Sequence, residues 1–242
     1  MANQQPKPTI VLVHGAFADA SGWSGVAERL RDDGYPVLAP ANPLRTLSGD
    51  ADYIASVLAS IEGPIILVGH SYGGAVITNA ARGIANVKAL VYISAFAPDE
   101  GEDIFALTGK FPGSLLPANT LTRTYPDGTP EPGVDVYLSL QHFREVFAAD
   151  VPARTTELMA VEQRPLALAA GNEASGASPA WATIPSWYLA GRDDMAIPFA
   201  AQQFMAKRAN SHLVEVTASH VPMISKPGEV TDLIVDAARA TT

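Results

Sequence analysis

Short apolar runs rich in β-branched residues alternate along this chain with stretches whose apolar positions recur every three or four residues. The runs read as buried strands and the stretches as amphipathic helices. Residues 9–13 (Thr-Ile-Val-Leu-Val) form the first predicted strand. A helix is expected over residues 22–33, with Trp23, Val26, Ala27 and Leu30 on one face and Gly34 ending it. Residues 35–39 read as a second strand, and Pro36 places it at a sheet edge. A second helix is expected over residues 50–61, carrying Tyr53, Ile54, Val57, Leu58 and Ile61 on one face. Strands over 64–68 and 87–94 flank a small-residue helix that begins near Gly74. Strand followed by helix, repeated, is the pattern of a parallel sheet covered on both faces.

The alternation then breaks. Residues 98–182 are rich in Pro and Gly and contain no clear strand; helical pieces are expected near 136–148, 155–161 and 165–170. A long irregular stretch inside a compact chain is usually functional. It is read as a cap over the carboxyl edge of the sheet, inserted into a core made of residues 1–97 and 183–242. The sheet pattern resumes with strands over 184–190 and 212–216, separated by a helix from about Pro198 and followed by a last helix over 228–240. The expectation is an α/β fold: a mostly parallel six-stranded sheet with helices on both faces and an inserted cap.

Composition narrows the function. With 242 residues, 48% of them hydrophobic, the chain is long enough to bury a substantial core. It has no cysteine, which removes disulfides, thiol nucleophiles and Cys-ligated zinc. A net charge of −9 without any Lys/Arg cluster makes nucleic acid a poor partner. The first eight residues are polar and lack the apolar core of a signal peptide, and no apolar run approaches membrane-spanning length. A soluble cytoplasmic protein is expected. No H-x-x-x-H or acidic ladder suggests a metal, and no cofactor is expected.

The chemistry is concentrated in Gly69-His70-Ser71-Tyr72-Gly73. This G-x-S-x-G pentapeptide follows an apolar strand and precedes a small-residue helix, the context of a nucleophile elbow. The glycines allow a turn sharp enough to hold the Ser71 hydroxyl clear of the sheet. A serine hydroxyl is a weak nucleophile at neutral pH and needs a base, which in turn needs an acid to orient it. In such sheets the partners follow in the order acid, then histidine, each just after a strand. The acid is sought in Gly191-Arg192-Asp193-Asp194, where one of two adjacent aspartates faces the site. His220 is the one histidine in the loop after the last strand and is the expected base. The oxyanion of an acyl-transfer intermediate needs preset N–H donors. One is expected from Tyr72, the residue after the nucleophile, and another from the loop His14-Gly15-Ala16-Phe17 after the first strand.

With these motifs in this order, the chain resembles the α/β-hydrolase fold superfamily over nearly its whole length. The short His-Gly-Ala turn followed by Trp23, and the lack of two N-terminal strands, resemble the branch of plant methylesterases, hydroxynitrile lyases and bacterial esterase relatives. The resemblance implies Asp194 as the acid, with Pro198 matching the family's proline, and Ala16 as the second oxyanion donor. Lyases of that branch are expected to carry Thr and Lys where this chain has Gly15 and Val221, which favours ester hydrolysis. The expected activity is cleavage of small carboxylic esters by a Ser-His-Asp triad. Lactones, C–C bond cleavage, lyase chemistry and a low-turnover hormone-receptor-like binder stand as alternatives. Phe17, Phe96, His142, Phe143, Trp181 and Met195 are candidates to line the substrate pocket. His14 is expected to brace the oxyanion loop and His70 to pack beside the site, while His212 has no motif support. The oligomeric state is left open.

Overall fold

The computed structural model describes residues 7–242; the polar stretch at the very N-terminus lies outside the described residues. Nine strands are present among them: β1 (Thr9–Val13), β2 (Val37–Leu38), β3 (Ile65–His70), β4 (Val87–Ile93), β5 (Thr120–Tyr125), β6 (Gly133–Leu138), β7 (Leu166–Ala167), β8 (Ser186–Gly191) and β9 (His212–Val216). Six of them form one sheet in the order β2-β1-β3-β4-β8-β9, and every pairing in it is parallel. β1, β3 and β4 are buried almost throughout, which explains their continuous apolar runs. β2 is an edge strand, as Pro36 predicts, and β9 is the partly exposed opposite edge.

Helices cover both faces. Leu47–Ala59 and Tyr72–Ala80 pack on each other, as do Ser24–Asp32 and Pro227–Thr241; the last also packs on β3, β4 and β8. The second helix starts three residues earlier than the periodicity predicts. Thr46 caps it, its hydroxyl accepting the Gly49 N–H at 3.1 Å. Asp50 is thereby carried into the first turn and buried. Strand order reverses between β1 and β3, so the loops after these two strands diverge around a crevice at their carboxyl ends. Ser71 and the His14–Phe17 loop lie there.

The segment between β4 and β8 corrects the expectation that it lacks strands. β5 and β6 form an antiparallel hairpin, with Thr120 opposite Leu138 and Tyr125 opposite Gly133, and β7 pairs antiparallel with β6. The helix expected over 136–148 is instead the end of β6 followed by a short helix, Phe143–Phe147. The piece expected over 165–170 splits into β7 and the helix Leu168–Asn172. Only the helix Ala153–Glu162 lies where the sequence puts one. β5 reads Thr-Leu-Thr-Arg-Thr-Tyr and is mostly exposed, so no buried face stamps a period of two on it. Its order comes from pairing. Gln163 completes the motif: its Oε1 accepts the Leu138 N–H at 2.8 Å and its Nε2 donates to the Leu138 carbonyl at 2.9 Å. No helix among the described residues is long and apolar enough to cross a membrane.

Candidate active site

Ser71 stands at the junction of β3 and the helix Tyr72–Ala80 with φ 54° and ψ −125°. A left-handed φ on a residue with a Cβ costs on the order of 1–3 kcal/mol and survives only where surroundings hold it. Here Gly74 and Phe96 donate N–H bonds to the Ser71 carbonyl at 3.0 and 3.1 Å. The turn closes because Gly73 has no side chain: a Cβ there would lie 2.5 Å from the Val13 carbonyl oxygen. The sequence signal for the elbow is thus also a packing requirement between β1 and the helix.

His220 meets Ser71 from the loop after β9. Its Nε2 is 2.8 Å from Ser71 Oγ, and its Nδ1 is 2.7 Å from Asp194 Oδ2. All three side chains are buried, which keeps water from competing for these bonds. Asp194, not the exposed Asp193, faces His220. Both of its oxygens are held: Oδ1 accepts N–H bonds from Ala196 and Ile197 at 2.8 and 2.9 Å, and Oδ2 also accepts Gln202 Nε2 at 2.8 Å. Gln202 is fully buried and spends its remaining bonds on the Ile197 carbonyl and the Gly191 N–H. The sequence reading missed it. Its only signal is its place in the first turn of the helix Phe199–Arg208, four residues past Pro198, and that spacing carries no motif.

The loop after β1 is drawn against the elbow. A Cβ on Gly15 would sit 2.6 Å from Ser71 Cβ and 3.1 Å from the Tyr72 nitrogen. Glycine therefore lets this loop lie against the backbone of Ser71 and Tyr72. Neither N–H has a hydrogen-bond partner among the described residues. His14 braces this loop: its Nδ1 lies 2.9 Å from the Gly15 carbonyl and its Nε2 2.9 Å from the Asn42 N–H, while Asn42 Nδ2 donates to the His14 carbonyl. Burial lowers the His14 pKa, so a neutral ring with the proton on Nδ1 fits both contacts. On the other side, Tyr72 Oη donates to Asp50 Oδ2 at 2.8 Å. Burial raises the Asp50 carboxyl pKa, against the Arg45 N–H and Tyr72 hydroxyl bonds that lower it; burial and that carboxylate also push the Tyr72 phenol far up.

His70 is fully buried beside the site and donates from Nε2 to the His220 carbonyl at 2.8 Å. Desolvation first, and the neighbouring His220 second, hold its pKa well below the ordinary histidine value, so it stays neutral. Part of the segment between β4 and β8 packs against these groups. Phe147 lies 4.9 Å from the His220 ring and 6.1 Å from Phe17, edge-on to both. Asp150 accepts the Ser219 hydroxyl, and the Arg164 carbonyl accepts the Phe17 N–H at 2.9 Å.

The six candidate pocket residues separate. Phe17 lines a cleft of about 450 Å³ that begins beside the site and runs between the Ala153–Glu162 helix and the loops around Gly22 and Met223. Phe143 is buried against Phe147 at 5.1 Å, behind the surface Phe147 presents to His220. Phe96 serves through its backbone. Trp181 Nε1 is tied to the Pro98 carbonyl at 2.9 Å, and its ring supports Arg208. His142 is half-buried at the start of the Phe143–Phe147 helix, near Ser139. Met195 is 41% exposed. Its backbone is the part in use, accepting the Leu115 N–H.

Residues 10–233 match the Alpha/beta hydrolase family. A pyrethroid hydrolase from Sphingobium wenxiniae is 31% identical over 252 residues, covering 96% of this chain and 88% of that protein. The putative chloroplastic methylesterase 11 of Arabidopsis thaliana is 26% identical over 95% of this chain and 63% of its own length. The crystal structure of polyneuridine aldehyde esterase superposes with a TM-score of 0.82 at 22% identity, covering 95% of this chain and 98% of the other, which speaks to the fold.

Proposed function

The chain belongs to the alpha/beta hydrolase family, and we propose that it cleaves small carboxylic esters by way of an acyl-enzyme on Ser71. It is a carboxylic ester hydrolase, as its family and named relatives indicate; the residues that perform the reaction and the size of the ester are our inference. The observation that carries it is the unbroken line of hydrogen bonds from Ser71 Oγ through His220 to Asp194.

In this reading His220 Nε2 takes the Ser71 proton as Oγ bonds to the ester carbonyl carbon. The carbonyl electrons move to oxygen, where the Ala16 and Tyr72 N–H groups receive the charge. Such donors act at no reorganisation cost because the backbone is already fixed. Collapse re-forms the carbonyl and breaks the C–O bond to the alcohol, which leaves with the proton from His220. Water then attacks the acyl-enzyme, giving its proton to the same nitrogen; collapse breaks the acyl–Oγ bond, the acid leaves, and Ser71 Oγ takes the proton back from His220. Asp194 holds the proton on Nδ1, so Nε2 is free to act as base, and stabilises the imidazolium that forms twice per cycle. A lactone follows the same steps with its alcohol still attached. Lyase chemistry is disfavoured because Gly15 and Val221 stand where the lyases of the methylesterase branch are expected to carry Thr and Lys.

Ser71→Ala tests this. The variant should fold normally and lose turnover of chromogenic acetate esters by on the order of 10⁴-fold or more. Retention of most of the activity would overturn the mechanism. A serine-directed phosphonate should label wild type once, at Ser71; labelling without turnover of any ester would favour a ligand-binding role.

A further inference from the structure

The cleft beside the site has an unexplained floor. Gly22 lies in the short 3₁₀ turn Ala20–Trp23 and Gly25 in the helix Ser24–Asp32. Neither has a left-handed φ. Glycine is among the least favourable residues in helices, so a conformational reason for it is missing. Crowding does not supply one. A Cβ on Gly22 would meet nothing nearer than Met223 Cε at 3.8 Å, and one on Gly25 nothing nearer than Pro227 Cβ at 3.4 Å, both ordinary contacts. Both glycines line the cleft; a Cβ on Gly22 would project toward Met223 and Ile224, which line it too, whereas one on Gly25 would rest on Pro227, outside the lining.

The cleft's most buried lining residues, Val221, Met223 and Phe17, are apolar, and Leu158, Met159 and Ile224 add further apolar wall. Phe17 directly follows Ala16, and Val221 directly follows His220. The cleft therefore starts one residue from an oxyanion donor and one residue from the base. Leu158 is 55% exposed, an apolar side chain turned to an open space that nothing in the fold fills. Charge stays at the rim, on Arg154, Asp19 and Glu162. A volume of about 450 Å³ falls within the range of small-ligand sites.

We infer that this cleft is a subsite for an extended apolar arm of the ester, which Gly22 keeps open. The inference rests on the ester-hydrolase reading of Ser71 and adds the shape of the substrate: a carboxylic ester with a flexible or flat hydrophobic group of several carbons. Binding such an arm removes apolar surface from water, to a limit of roughly fourfold in kcat/KM per methylene buried.

The test uses the whole enzyme and two ester series, one lengthening the acyl group and one lengthening the alcohol. Wild-type kcat/KM should rise with length in one series, which identifies the arm. Gly22→Leu fills the floor and should cut kcat/KM for the eight-carbon member at least tenfold, leaving the acetate of a short alcohol within about twofold. Leu158→Gln changes a side chain at the surface and leaves the fold intact; it should lower the same long-chain preference severalfold through KM. A preference for length unchanged in both variants would overturn the subsite, as would an equal loss across all lengths or a wild-type profile flat in both series. Absence of wild-type turnover on every ester would instead remove the hydrolase reading beneath it.

Discussion

Two walls of this molecule are lined with glycine, and they treat an added carbon in opposite ways. At Gly15 and Gly73 a Cβ would fall 2.6 Å from Ser71 Cβ and 2.5 Å from the Val13 carbonyl. At Gly22 it would meet nothing within 3.8 Å. In the proposed reaction the first wall holds the reacting groups; it has no slack, and there the proposed oxyanion donors, elbow and base must agree to within about 0.5 Å. The second wall borders open space and can change without disturbing them. Chemistry and choice of substrate are thus assigned to regions of different packing density, next to each other in one structure.

The sharpest way to break that contrast is at Gly15. Gly15→Thr forces the Ala16 loop away from Tyr72 and should cost about 10²–10³ in kcat for every ester, long or short. Circular dichroism should remain native. An enzyme of near wild-type kcat would show that the reaction wall has slack after all. Gln202→Leu comes next, acting through Asp194 without touching substrate. It leaves the Gly191 N–H unpaired and takes one donor from the oxygen that holds His220, so kcat should fall roughly tenfold and stability by about 1–3 kcal/mol. A fall in Tm with kcat unchanged would reduce Gln202 to a structural residue.

Smaller effects are expected where the inserted segment is attached. Arg45 pairs with Asp135 of β6 at 2.8 Å, donates to the Pro165 carbonyl at 3.2 Å, and lies over the Tyr125 ring. Its side chain is 39% exposed, so the ion pair is screened. Arg45→Ala should lower Tm by about 2–4 °C by scanning calorimetry, with the acetate rate changed less than twofold.

Acid should loosen the reaction wall before the cleft. His14 and His70 are held neutral, with pKa values below the ordinary 6.5. Below that pH the unfolded chain takes up protons that the folded chain refuses, so their contribution is intact above about pH 6.5 and shrinks as pH falls. The slope is at most about 1.4 kcal/mol per pH unit for each histidine. Urea titrations from pH 7.5 to 5 should show it, and His70→Asn should flatten it.

Most of the sheet and of the candidate site was legible because the signals are local. β1, β3 and β4 are buried on both faces, so their composition alone marks them. Ser71, His220 and the Asp193–Asp194 pair each follow a strand, and a parallel sheet brings all such ends to one edge. β5 and β6 were not legible, since a hairpin exposed on one side is ordered by its partner strand and by Gln163. Asp50 reads as a helix start, yet Thr46 takes the cap and leaves it to bind Tyr72. Met195 stands beside the acid in sequence and on the surface in space.

The sequence by itself determined the class of fold, the order of the candidate site residues and the glycines that let the elbow close, because these depend on period, neighbours and the size of one side chain. Tertiary structure alone decided that Gln202 stands behind Asp194 and where a cleft opens. Those depend on distances between residues far apart in the chain, as between Ser71 and His220, 149 positions apart and 2.8 Å from each other. No local pattern encodes such a distance; the packed sheet sets it.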